Sequence, residues 1–127
     1  EGLQLFPHSG QLYLESGVVY EIKKEYNKAL AYYEAGIQNA PDFPSNYYRA
    51  ARIYSITTET VWAVIYGEIF MNIERNTKRT QEISKLIFDV YKDNITFKGD
   101  TSYSVTFSKF NTISIYKLKD TSQRVKK

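Results

Sequence analysis

The chain has 127 residues, 43% of them apolar and 16% aromatic, with twelve tyrosines and no cysteine. That is enough apolar material for one domain with a core, and the lack of cysteine excludes a disulfide framework, thiolate catalysis and sulfur-ligated zinc in this chain. The net charge of +3 is uneven, because residues 1–94 hold ten Lys/Arg against twelve Asp/Glu and residues 95–127 hold seven against two.

No apolar run reaches the roughly 18 to 20 residues that span a bilayer, and Glu1-Gly2-Leu3-Gln4 is no basic start to a signal sequence. The expectation is a soluble chain without a membrane span, in either cytoplasm or periplasm.

Glu1 to Phe6 match the end of a helix, and Pro7-His8-Ser9-Gly10 breaks it. Apolar and small residues then recur at helical spacing. Tyr13, Ser16, Gly17 and Tyr20 form one stripe, and Tyr26, Ala29, Leu30, Tyr33 and Ile37 form a second. Pro41-Asp42-Phe43-Pro44 ends that pair, and the next helix is expected beyond Ser45.

Sliding the chain by 34 residues superposes Gly2 on Gly36, Pro7 on Pro41, Tyr13 on Tyr47, Tyr20 on Tyr54, Ala29 on Ala63 and Tyr32 on Tyr66. The second helix of the second pair is strongly apolar, with Trp62, Ile65, Tyr66, Ile69, Phe70 and Ile73, and Thr58 or Thr60 is its expected cap. Ile83, Leu86, Ile87, Val90 and Tyr91 signal a further helix behind the cap candidates Asn76 and Thr77.

A 34-residue helix pair with W-x2-L-G-x2-Y, A-x3-F and a closing proline is the tetratricopeptide pattern. Residues 10–41 resemble it, with Tyr13, Gly17, Tyr20, Ala29, Tyr33 and Pro41 at the signature positions and Ser16 in place of Leu. The copy at 44–75 keeps Tyr47, Ala51, Tyr54 and Ala63 but has Gly67 for the aromatic and Arg75 for the proline. The resemblance implies an all-α fold of tandem antiparallel helix hairpins, an αα-superhelix. Repeats are expected at about 10–43 and 44–77, with an extra helix at about 78–94 that opens a third, incomplete repeat. About three repeats are usually needed for stability, so the chain is expected to be a segment of something longer. The style of the repeats points to a bacterial protein.

From Ile95 the period changes. Tyr103, Val105 and Phe107 alternate with Ser and Thr, as do Ile113 and Ile115, around Ser108-Lys109-Phe110-Asn111. That pattern predicts a β-hairpin-like tail after a turn at Lys98-Gly99-Asp100, ending in a polar, basic and partly disordered segment. Such a hairpin needs helices or another chain to pack on.

No catalytic constellation is present. His8 stands alone in a turn, and Glu15, Glu21, Glu25, Glu34, Glu68 and Glu82 fall on predicted helices and their turns, where solvated charge explains them. The glycines are scattered singly and build no phosphate loop. No cofactor, metal or enzyme activity is expected. Asn94-Ile95-Thr96 fits the short N-x-T pattern, which carries no weight without a known compartment.

By the same resemblance, the first helix of each pair lines a concave face that takes a protein or peptide partner. The matching positions are Gln11, Leu14, Val18, Glu21 and Ile22 in the first copy, and Ser45, Tyr48, Arg52, Ser55 and Ile56 in the second. All of them are expected to lie off the contact between paired helices, with Tyr48 and Arg52 the strongest candidates because Tyr and Arg dominate binding hot spots. Val18 and Arg52 stand where some members of the family have the asparagines of a carboxylate clamp, so that clamp is not expected. Three other readings are kept beside the scaffold: an oligomer-assembly domain, an accessory domain of a larger protein, and a nucleic-acid binder using Lys117, Lys119, Arg124, Lys126, Lys127 and Tyr116.

Overall fold

A computed structural model describes residues 2–97, 102–108 and 111–116. Its helices are α1 (Gly2–Leu5), α2 (Gly10–Ile22), α3 (Tyr26–Asn39), α4 (Pro44–Tyr54), α5 (Thr60–Ile73) and α6 (Lys78–Asn94). Strands β1 (Ile95–Phe97), β2 (Ser102–Ser108) and β3 (Asn111–Tyr116) follow. Among the described residues no helix is long and apolar enough to cross a membrane.

The helices begin on the sequence period. α2, α4 and α6 start at Gly10, Pro44 and Lys78, and α3 and α5 at Tyr26 and Thr60, 34 residues apart each time. The starts are fixed by local chemistry. Ser9 Oγ accepts from Leu12 N at 3.3 Å to cap α2. Thr77 caps α6 through a reciprocal box with Thr80. Two starts differ from expectation. α4 opens at Pro44 itself, because proline at the first turn gives up only an amide that would be unpaired there. α5 opens at Thr60 behind Glu59, whose side chain makes no capping bond, so neither threonine is its cap.

α2 packs on α3 and α4 on α5 as antiparallel pairs, while α2, α4 and α6 stand side by side along one flank. Two core clusters result. One joins Ala29, Leu30, Tyr33, Ala50 and Ile53, the other Tyr47, Tyr48, Ala51, Phe70, Ile83 and Ile87, and Ile37 and Tyr66 touch both. Fully burying a side chain such as Phe70 contributes about 2–3 kcal/mol.

Small residues set the helix separations. A Cβ on Gly17 would stand 2.3 Å from the Tyr33 ring, so the first pair closes only because that position is bare. Gly67 does the corresponding work one pair later. Its absent side chain admits Ile83 and Ile87 of α6, which approach to about 3 Å of where a Cβ would be, and this accounts for its departure from the aromatic of the repeat pattern. The roughly 1 kcal/mol that glycine costs inside a helix is set against that contact.

Polar bonds then join the pairs. Glu34 on α3 accepts from Tyr54 Oη of α4 at 2.7 Å and Tyr66 Oη of α5 at 3.1 Å. Asn46 Nδ2, fully buried, donates to Gly10 O at 3.1 Å and holds α4 to α2.

The strands are antiparallel in the order β1-β2-β3, with Val105 opposite Ile95 and Ile113, and the β2–β3 register is irregular between Thr106 and Ser108. β2 runs beside α6 and α5. The expected turns at 98–100 and 109–110 and the basic segment 117–127 lie outside the described residues.

Candidate functional site

The three side-by-side helices bring repeat-equivalent residues into rows: Gln11, Ser45 and Arg79; Leu14, Tyr48 and Glu82; Val18, Arg52 and Leu86; Glu21, Ser55 and Asp89. The first two rows are occupied within the protein. Gln11 bonds Glu15 at 3.0 Å on the surface of α2, while Leu14 and Val18 pack on the cluster of Ala29, Leu30, Tyr33, Ala50 and Ile53 and so do not stand clear of the helix contacts as expected.

Tyr48 departs from its expected place. Its ring lies in the core against Phe70, with centroids 5.4 Å apart, and only 9% of the residue is exposed. Its hydroxyl donates to Glu82 Oε2 at 2.6 Å. Desolvation, then the bond to Glu82, raises the phenol above its ordinary pKa. Placement off the helix contact is therefore corrected for Tyr48, because α6 packs against the side of α4 on which it stands.

Ser45 is taken up in the same way, since Arg79 Nη1 donates to its Oγ at 3.0 Å. That guanidinium also forms a two-point ion pair with Glu74, with Nε to Oε2 at 3.0 Å, and lies 5.0 Å over the Tyr48 ring and 5.4 Å over Phe70. The bond from Arg79 is the main reason the Glu74 carboxyl titrates below its usual range.

The remaining rows, apart from Val18, line a cleft. Glu21, Arg52 and Ser55 meet Tyr26, Ile56 and Leu86 around a depression of about 310 Å³. A second depression of about 310 Å³ shares Ser55 and Leu86 with it and is lined further by Glu82, Lys85, Asp89 and Asp93. Glu21 is anchored there, accepting from Tyr33 Oη at 2.5 Å and facing Arg49 Nη1 at 3.4 Å. Burial first, and the Glu21 carboxylate second, hold the Tyr33 phenol far above its ordinary pKa. Arg52 is exposed and lies 5.4 Å over the Tyr48 ring. Ile22 and Ile56 are 76% and 75% exposed, so apolar side chains on this flank remain in water.

The charge is graded along the cleft. Arg52 sits at the α4 end beside the anchored Glu21, whereas the α6 end carries Glu82, Asp89 and Asp93 against Lys85, which pairs with Asp89 at 2.9 Å. Among the described residues no three His, Cys, Asp or Glu are grouped to hold a metal ion.

Of the ten residues singled out from the sequence, Glu21, Arg52, Ser55 and Ile56 come together in the cleft. Leu86, Glu82, Asp89 and Asp93 were missed, although a second application of the 34-residue shift carries Arg52 to Leu86 and Ser55 to Asp89. Tyr26 had no such signal, since it stands on a helix-pair stripe in the sequence and at the cleft rim in the structure.

No family model matches the chain, and no curated protein or solved structure matches it either.

Proposed function

We propose that the chain is a tetratricopeptide-type repeat segment, a non-catalytic scaffold that receives an extended peptide or protein segment along the flank of α2, α4 and α6. The observation that carries this reading is the cleft itself, in which Glu21, Arg52, Ser55 and Leu86 from three successive repeat-equivalent helices line one depression. The 34-residue recurrence of the helix starts supports the family assignment.

The graded charge gives the partner a polarity. An acidic group belongs over Arg52, an apolar side chain over Ile56 and Leu86, and a basic group at the Asp89 and Asp93 end. Selection from a random peptide library tests this. Peptides enriched by the unmodified chain are expected to show that order of side chains and to lose binding to an Arg52→Glu, Ile56→Glu variant whose circular dichroism is unchanged. Enrichment that survives both changes overturns the reading.

A further inference from the structure

The two carboxylate oxygens of Glu34 each accept a phenol, Tyr54 Oη on Oε1 at 2.7 Å and Tyr66 Oη on Oε2 at 3.1 Å. Both lengths lie within the reach at which a base takes a proton along a hydrogen bond already made. The two rings also adjoin one another and the indole of Trp62. Centroids are 6.0 Å apart for Tyr54 and Tyr66, 5.6 Å for Trp62 and Tyr66, and 6.4 Å for Trp62 and Tyr54. Trp62 is the single tryptophan of the chain and is 42% exposed. A solvent-facing indole is thus in ring contact with two half-buried phenols that share one base.

Indole and phenol are the aromatic side chains most readily oxidised by one electron, and a phenol that loses an electron becomes a strong acid whose proton has to leave with it. Burial first, and Glu34 second, hold the Tyr54 and Tyr66 phenols above their ordinary pKa, so neither proton departs before the electron does. Glu34 is placed to receive it. Tyr47 supplies the contrast. Its ring is 6.1 Å from that of Tyr66, but its hydroxyl donates to Pro41 O at 2.8 Å, and an amide oxygen is too weak a base to take the proton. One period earlier the positions of Tyr54, Trp62 and Tyr66 are held by Tyr20, Lys28 and Tyr32, and the Lys28 ammonium lies 5.5 Å over the Tyr20 ring. The oxidisable indole belongs to the second copy only.

We propose that Trp62, Tyr66, Tyr54 and Glu34 form a one-electron oxidation site, which takes oxidising equivalents from small diffusible radicals at the surface and holds them as a neutral phenoxyl beneath it. The radical removes one electron from the Trp62 indole and is itself reduced. An electron from Tyr66, the nearer ring, refills the indole while the phenol proton moves to Glu34 Oε2. Trp62 ends unchanged, Tyr66 has lost one electron and one proton, and Glu34 is a carboxylic acid. Onward transfer to Tyr54 returns the proton from Oε2 to Tyr66 and places that of Tyr54 on Oε1, which leaves the balance the same. None of the four side chains lines either depression of the cleft on α2, α4 and α6.

Pulse radiolysis of the 127-residue chain in azide solution tests this, because the azide radical oxidises indole ahead of phenol at neutral pH. The indolyl absorption is expected to convert into phenoxyl absorption at a rate independent of protein concentration, and more slowly in heavy water. Glu34→Gln keeps an oxygen acceptor but removes the base, and is expected to slow the conversion by roughly tenfold or more. Tyr54→Phe, Tyr66→Phe together should leave the indolyl signal standing, whereas Tyr47→Phe should match the native rate, each with its circular dichroism unchanged. The comparison in heavy water needs no substitution and so holds whether or not a variant folds. No conversion in the native chain, a rate that rises with protein concentration, a rate indifferent to heavy water, or a Glu34→Gln chain as fast as the native one each overturns the proposal.

Discussion

Tyr48 and Glu82 are separated by 34 residues in the chain and by 2.6 Å in space, phenol to carboxylate. Ser45 and Arg79 repeat the relation one turn earlier, also 34 residues apart and bonded at 3.0 Å. Positions that are equivalent in the repeat are thus neighbours in the fold, and polar bonds between them hold α6 against α4.

Arg79 should be the main fastener of that contact, because one guanidinium serves Glu74, Ser45 and two aromatic faces. Arg79→Ala is expected to destabilise the chain by about 1–3 kcal/mol and to speed amide exchange in α6 before α2 or α3. Arg79→Lys should recover little of this, since an ammonium cannot reproduce the planar fork. Hydrogen exchange resolved by helix, with a urea titration, makes the comparison.

Gly17→Ala should cost about 1–3 kcal/mol by overpacking, because the added methyl meets the fully buried ring of Tyr33 rather than a movable chain end. Gly2→Ala serves as the control. There the methyl would meet a flexible Leu12 tip at 3.2 Å, and the urea midpoint should stay close to that of the native chain.

Why the helix pairs were legible in the sequence, and the cleft only partly, has a physical explanation. Gly17, Ala29 and Tyr33 are dictated by one contact between adjacent helices, so their spacing appears directly in the chain. The fate of Tyr48 depends on α6, which brings Glu82 to its hydroxyl from a whole repeat away. Period and residue type alone make Tyr48 look available. Composition is equally silent on α5, where Ile65, Ile69 and Ile73 are as apolar as core residues and yet are 37–40% exposed.

Lys24 adopts a φ of 61°, in the left-handed region, where its amide bonds Glu21 O at 2.9 Å to close the turn between α2 and α3. A side chain there costs about 1–2 kcal/mol that glycine avoids. Lys24→Gly is therefore expected to raise the unfolding midpoint in thermal or urea melts, and a lower midpoint would contradict the assigned turn.

Alkali should unfold the protein through its tyrosines. Burial, followed by the charge of Glu34 and the bond to it, pushes the Tyr66 phenol up to about 12, and Tyr33 and Tyr54 are raised further. The unfolded chain releases these protons near the ordinary value of about 10 while the folded chain keeps them. Their stabilising contribution is therefore whole below about pH 10 and falls as pH rises toward the folded values. Urea midpoints measured through that window should decline, and Tyr66→Phe should decline less steeply.

The most direct test of the binding reading is to map a library-selected peptide onto the chain by amide chemical-shift changes in a backbone-assigned spectrum. The account predicts that the largest changes fall at Glu21, Arg52, Ser55, Ile56, Leu86 and Asp89, around the cleft shared by α2, α4 and α6. Changes concentrated instead on α3, or along Trp62, Ile65 and Ile69 of α5, would contradict it.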